Sequence, residues 1–150
     1  ILLFHDPAGP GGFCAKLMDL GSAGTLKVVV KDRKMANMLS DEWDSNCSPP
    51  YRAPELTQVQ VGTRVDGRAD VFSLGATMYA VAFGRSPFEH RTQGFLKLAL
   101  LGGDVKFPPG MRNRDAEFSG NACSIMKKML IADPKKRTKL SKLLRQLEKL

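Results

Sequence analysis

Hydrophobic positions along the chain change their rhythm near Pro54. Before it they come in short runs broken by turn-forming residues, and after it they recur at helical spacing. The run Ile1–Phe4, the turn-rich "HDPAGPGG" and the second run "FCAKLM" predict a small β-hairpin, because Asp-Pro and clustered glycines interrupt any continuous element. From Thr25 to Pro50 the pattern is irregular. "LKVVV" reads as a strand and "MANMLSDEW" as a short helix, but charged and turn residues dominate, and so long a weakly structured stretch in a compact domain is usually functional or mobile. "ADVFSLGATMYAVAFG" has apolar residues on every side, the mark of a helix buried all round. Gly84 would cap it, with "RSPF" as the loop that follows.

"TQGFLKLALLGG" predicts a shorter helix capped by Gly102 and Gly103, and "KFPPGMRNRD" a proline-rich link. Phe118, Ala122, Ile125, Met126, Met129 and Leu130 then recur at helical spacing. Beyond "ADPKKRT", Leu140, Leu143, Leu144 and Leu147 form a stripe that a last helix would bury, leaving Lys139, Lys142, Arg145 and Lys149 in solvent. The expected whole is mainly α: a single domain with a hairpin at its start, a long irregular loop and a helical body.

Composition narrows the class. With 150 residues, 43% hydrophobic and 25% charged, the chain can bury one ordinary core. No window approaches the roughly 18 consecutive apolar residues of a membrane span, and "ILLFHDP" lacks the basic start of a signal peptide. Cys14, Cys47 and Cys123 are far apart with no C-x-x-C, which fits reduced thiols in a cytoplasmic protein. The net charge of +8 raises nucleic-acid binding. Much of the excess, however, falls in "KKRTKLSKLLRQLEKL", where it alternates with the leucine stripe and lacks interleaved aromatics. A solvated helix face is favoured and no nucleic acid is expected; attraction to acidic membrane surfaces or acidic peptides stays open.

Candidate chemistry starts with "KLMDLGSAG". Asp followed by a hydrophobic residue and Gly arises by chance in about one chain in ten of this length, and Asp-x-Gly is ordinary turn chemistry. The tripeptide alone leaves Asp19 undecided between turn residue and metal ligand. Context decides more. Asp19-Leu20-Gly21 after a strand, Ala53-Pro54-Glu55 in "YRAPEL", the helix opening "RADVFSLG" and then "DPKKR" stand in an order that resembles the C-terminal lobe of a eukaryotic protein kinase. The resemblance covers nearly the whole chain. In finer detail "LMDLGSA", "DEWDSNCSPPYRAPEL" and "DVFSLGATMYAVAFGRSPF" resemble the Numb-associated kinase family, and within it the Golgi-associated myristoylated and palmitoylated serine/threonine kinase branch.

That resemblance implies a protein-kinase C-lobe, mainly α, with a small N-terminal β-hairpin and a long activation segment from Asp19 to Glu55. It implies ATP and Mg²⁺ as cofactors, with Asp19 as metal and nucleotide-site ligand and Gly21 leaving the turn free to flip. Ser48 stands where serine/threonine kinases carry the Thr of T-x-x-Y-x-A-P-E, so Ser48, Tyr51 and Arg52 would belong to the activation and substrate loop; Cys47 departs from the family's usual Gly. Ser40, Ser45 and Ser48 are candidate phosphosites. Glu55 and Arg137 match a buried structural ion pair. Asp70 matches an acceptor for catalytic-loop amides, although a simple helix cap fits its local sequence nearly as well.

A kinase also needs a glycine-rich loop, a strand Lys with its helix Glu, and H-R-D-x-x-x-x-N. None is found, and His5-Asp6 fails that last motif, so His5 reads as a hairpin residue. The chain opens on Ile1, where the resemblance puts the strand following the catalytic-loop Asn. The expectation is therefore a partial kinase domain over residues 1–150, with N-lobe and catalytic loop upstream. Such a piece would have no catalytic residue of its own, would be inactive alone and would be unstable in isolation. Its parent would phosphorylate Ser/Thr of protein substrates in the cytoplasm. By branch analogy it would have a peripheral Golgi or endomembrane association. The alternative is a pseudokinase or scaffold lobe that binds partners without catalysis.

Overall fold

The computed structural model describes residues 1–108 and 116–147. Strands β1 (Leu2–His5) and β2 (Phe13–Lys16) form an antiparallel hairpin, with Leu2 opposite Lys16 and His5 opposite Phe13. The loop between them is locked by its own turn chemistry: the Asp6 carboxylate accepts the Ala8 N–H at 3.0 Å, and Gly11 and Gly12 take the left-handed conformations that glycine permits. His5 lies edge-on to the Phe13 ring.

In the stretch from Thr25 to Pro50 the expected strand and helix both form, the helix longer than its pattern predicts. Strand β3 (Val28–Val29) pairs with β4 (Arg64–Val65), and helix α1 runs from Arg33 to Asn46. Asp32 starts that helix by accepting the Met35 N–H at 2.8 Å, a cap worth about 1 kcal/mol. Ala36, Leu39 and Trp43 then fall on one face and pack with Val28, Val30, Met35 and Val59 in a small separate cluster. The charged residues that gave the stretch its loop-like look are the solvent face of this helix.

The body is built on α3 (Arg68–Phe83), against which α5 (Ala116–Met129) crosses closely. Phe72, Ala76, Tyr79, Phe88, Leu100, Met126 and Leu130 fill the main core, with the Phe72 and Phe88 rings stacked at 5.5 Å. The crossing point is Gly75: a Cβ there would stand 2.8 Å from Met129 Cβ. Val71, Ile125 and Met129 form a second cluster that receives Leu143 from α6 (Leu140–Leu147). Two short elements complete the frame, α2 (Pro54–Thr57) and α4 (Lys97–Gly102).

Three expectations are corrected. First, α3 is not buried all round: Leu74 and Val81 are exposed, Val81 at 84%. Its described partners, α5 and the segments around Phe88 and Leu100, all contribute to the cores on the helix's other residues. Second, "TQGFLKLALLGG" is not one helix, because Gly94–Phe95 form strand β6, paired with β5 (Glu89–His90), and α4 begins only at Lys97. The left-handed Gly94 makes that turn, while Gly84 and Gly103 cap α3 and α4 in the same conformation. Third, the leucine stripe of α6 is split: Leu143 is buried, but Leu140 and Leu144 are about half exposed at 52% and 51%. Among the described side chains of this helix, Leu143 is the one buried in the Val71 cluster. Within the proline-rich link residues 109–115 lie outside the described residues, as do Lys149 and the side-chain surroundings of Phe118 and Leu147.

Candidate active site

Asp19 follows β2 at the entrance to a one-turn 3₁₀ helix, Leu20–Ser22, closed by the Ala23 N–H on Leu20 O at 3.0 Å. Its backbone sits at φ 61°, ψ 64°, and it is the only non-glycine residue with positive φ among the described residues. That conformation costs about 1–2 kcal/mol for an L-residue, although Asp tolerates it better than most. The carboxylate is exposed and, among the described residues, accepts no hydrogen bond. Gly21, by contrast, has neither positive φ nor crowding; a Cβ there would meet only Asp19 Oδ1 at 3.8 Å. Nothing in this conformation of the turn demands glycine at 21.

Farther along, the segment is pinned at three places. Ser48 is exposed and extended, and its carbonyl accepts the Tyr51 N–H at 3.0 Å to open the turn Pro49–Tyr51. Tyr51 is half-buried against the main core. Arg52, expected in the activation and substrate loop, turns its side chain inward: it is buried, paired with Asp44, and donates to Cys47 O at 2.5 Å. The guanidinium thus caps the C-terminal carbonyls of α1, where positive charge is favoured. Behind Pro50, the buried Ser86 hydroxyl donates to the Pro50 carbonyl at 2.5 Å and accepts the Phe88 N–H at 3.3 Å. Cys47 is half-buried, and burial pushes its thiol pKa up against the pull of Arg52, so it stays protonated. Of the candidate phosphosites, Ser45 is exposed and bonds back to Asp41 O at 2.8 Å, whereas Ser40 is half-buried.

Glu55 and Arg137, 82 residues apart in sequence, meet in a bidentate pair at 2.7 and 2.9 Å with both side chains nearly inaccessible. Arg137 places its remaining donors on the carbonyls of Arg68, Ile131 and Ala132, at 2.7, 2.8 and 2.9 Å, and stacks over Phe72. Every N–H of the guanidinium is engaged, which is what a buried charge requires. Asp70 lies exposed in the first turn of α3. Gly67 occupies the cap position with no side-chain bond, so the cap reading of Asp70 does not hold. The residue doing that local work is Asp66: it accepts Arg68 N–H and Nε, and Arg68 reaches on to Pro134 O at 2.6 Å. The Arg68 guanidinium holds the Asp66 carboxyl down at about 2.

Sequence reasoning passed over Asp44, Asp66, Arg68 and Ser86. Asp66 and Arg68 could have been read from their i, i+2 spacing at a helix start. The Asp44–Arg52 and Ser86–Pro50 contacts carry no sequence signal, because each is created by the way distant turns meet. Two grooves mark the surface, one of about 780 Å³ between Pro54–Gln58 and Leu130–Lys136 and another of about 680 Å³ beside β3 and β4. Asp19 and Ser48 line neither. No described helix is long and apolar enough to cross a membrane.

A hairpin ending in a left-handed Asp, a braced segment ending in a buried Glu–Arg pair, and helices stacked behind it are a protein-kinase arrangement. Residues 2–147 match the protein kinase domain family, and the chain belongs to it. Its fold is the mainly α kinase C-lobe with an N-terminal hairpin. Among its relatives, serine/threonine-protein kinase 16 of Rattus norvegicus is 36% identical over 135 residues, covering 89% of this chain and 43% of the relative. Serine/threonine-protein kinase ENV7 of Saccharomyces cerevisiae is 33% identical over 135 residues, covering 88% and 36%. A probable serine/threonine-protein kinase of Dictyostelium discoideum is 38% identical over 107 residues, covering 69% and 29%. The chain thus spans well under half the length of the curated relatives it matches.

Proposed function

We propose that this chain is the activation-segment and substrate-platform part of an ATP-dependent protein serine/threonine kinase, which transfers the γ-phosphate to Ser/Thr of protein substrates. The observation that carries the reading is Asp19, held in a left-handed turn with its carboxylate exposed and bonded to none of the described residues. Strain of this kind persists where the surroundings over-determine it, and functional sites are where it gathers. Mg²⁺ keeps several waters and takes one or two carboxylates plus phosphate oxygens. Asp19 fits as one such ligand. Among the described residues no group of three or more His, Cys, Asp or Glu completes a metal shell, so the nucleotide and further residues would have to supply the rest. When bound, the ion offsets phosphate charge; this chain's part is to hold one oxygen donor in place.

The rest of the segment serves positioning. Ser86 bonds within the Ser48–Tyr51 turn and Arg52 just before it, and the Glu55–Arg137 pair anchors the segment's end to the helical body. Exposed Asp70 is left available as an acceptor for backbone amides of a catalytic loop. The 150 residues contain no H-R-D-x-x-x-x-N, so the base and second metal ligand must come from elsewhere in the intact kinase, and this piece alone would not transfer phosphate. The finer placement among Numb-associated kinases, with cytoplasmic and peripheral Golgi location, rests on the segment sequences "DEWDSNCSPPYRAPEL" and "DVFSLGATMYAVAFGRSPF". The reading is tested by Asp19→Asn in the intact protein. Magnesium-dependent phosphorylation of a Ser/Thr peptide is expected to fall at least about a hundredfold, a loss of roughly 2.7 kcal/mol or more, with the unfolding midpoint unchanged. Undiminished activity would remove Asp19 from the site, and absent activity in the unmutated protein would leave the scaffold reading.

A further inference from the structure

The groove of about 680 Å³ beside β3 and β4 has no part in the chemistry above. Its size falls within the range of about 300–1,000 Å³ typical of specific pockets. Its walls are the β3–β4 ribbon and the Pro134–Lys135 turn. In the ribbon Val29 stands opposite Arg64 and Val28 opposite Val65. Alternation along each strand therefore puts Lys27, Val29 and Arg64 on one face and Val28 and Val65 on the other. Burial agrees: the first three are exposed and the last two half-buried.

Charge in the groove is unbalanced. Both acids in its walls are already engaged, Glu55 by Arg137 and Asp66 by Arg68. Among the described residues Lys27, Arg64 and Lys135 are in no ion pair, so three positive charges stand uncompensated around the exposed Val29. Among the described residues the ribbon also has only two strands. Val30 directs its N–H to Thr63 O and its C=O to Gly62 N, so by the antiparallel alternation Val29 turns its own N–H and C=O to the open edge. An open edge, an exposed valine and a basic rim match an extended chain whose side chains alternate between apolar and acidic. Among the described residues no aromatic side chain lines the groove, and base stacking would need one.

We propose that this groove binds an extended Asp/Glu-rich protein segment, its carboxylates between Lys27, Arg64 and Lys135 and its apolar side chains on Val29. This partner site goes beyond phosphoryl transfer and does not depend on Asp19. The test is fluorescence anisotropy on the intact protein that carries this chain, with a labelled peptide of alternating Glu and Val as probe and the same peptide with Gln for Glu as control. The combined Lys27→Glu, Arg64→Glu and Lys135→Glu variant is expected to weaken Glu-Val binding about tenfold or more, on the order of 0.5 kcal/mol for each exposed charge. Lys142→Glu with Arg145→Glu on α6 should leave binding within about twofold, and the Gln peptide should bind far more weakly than the Glu peptide.

Equal binding by the triple variant would overturn the proposal. So would equal weakening by the α6 variant, which would mean diffuse attraction to a chain of net charge +8. Displacement of the peptide by single-stranded RNA or by phosphatidylserine vesicles, with those probes losing affinity in the triple variant while the peptide does not, would reassign the groove. If the triple variant fails to fold, Arg64→Gln with Lys135→Gln is measured instead. A weakening of about threefold is then expected, and no change would overturn the proposal.

Discussion

Replacing Gly75 by alanine should destabilise the protein, although α-helix propensity alone says the opposite. An alanine in a helix interior is worth about 1 kcal/mol over glycine, and it also restricts the unfolded chain. Against this stands the α3–α5 crossing. The added Cβ would lie 2.8 Å from Met129 Cβ and 3.2 and 3.3 Å from Leu130 Cγ and Cδ2, well inside the roughly 3.5–4.0 Å optimum for carbon pairs. Met129 Cβ is fixed to its backbone, so relief requires moving α5 itself. That helix carries Ile125, Met126 and Met129, all buried, and Leu130 follows directly. Overpacking of this kind costs about 1–3 kcal/mol, and the expected net loss is about 1 kcal/mol. Gly120 on α5 is the control: it is exposed and a Cβ there meets nothing within 4 Å, so Gly120→Ala should stabilise by about 1 kcal/mol. Urea unfolding of the two variants in the intact protein, followed by far-UV circular dichroism, should move the midpoint in opposite directions. A Gly75→Ala midpoint raised as far as that of Gly120→Ala would refute the packing argument.

Two further outcomes follow from the charged groups. Arg137→Ala should cost about 3–5 kcal/mol, because Glu55 is left buried and unpaired; in the same urea assay the double variant Glu55→Leu, Arg137→Met should lose less than the single one. The Asp66 carboxyl is held down to about 2 by Arg68. A lowered folded-state pKa stabilises above the unfolded value and ceases to do so as pH falls through the folded one. The contribution should therefore be complete above about pH 4 and fade between about pH 4 and 2, modestly, since this pair is partly solvated. Thermal melts across that range should show a shallower acid slope for Asp66→Asn; an unchanged slope would count against the pairing.

What could be read from the sequence was whatever local spacing carries. The hairpin followed from its glycines, α3 from its continuous apolar run, α5 from its apolar period, and Gly84 and Gly103 as caps from their positions after "ADVFSLGATMYAVAF" and "FLKLALLG". What escaped depended on partners. The full length of helix α1, Arg33–Asn46 against the shorter "MANMLSDEW", was hidden because only Ala36, Leu39 and Trp43 mark its buried face while charge fills the other, and β4 is two residues given strand geometry by β3. The exposure of Val81 and Leu140 was likewise illegible, since a stripe of leucines says that a face is apolar but not what stands opposite it. At the site, Glu55 and Arg137 could be paired only through resemblance to a family, across a separation no periodicity spans. Asp19 was visible as a residue, but its left-handed backbone was not.

The small cluster around α1 has an optical consequence. Trp43 is the chain's single tryptophan, and it packs with Val30, Ala36 and Leu39 rather than with the residues around Phe72 or Val71. Segments with few buried apolar contacts open at lower free energy than the main core. Within these residues, then, indole fluorescence watches the cluster around α1, while the tyrosine ring of Tyr79 stays with the helical body. Excited selectively, one native fluorophore would report the loosening of α1 before the helices behind it begin to melt, with no label attached.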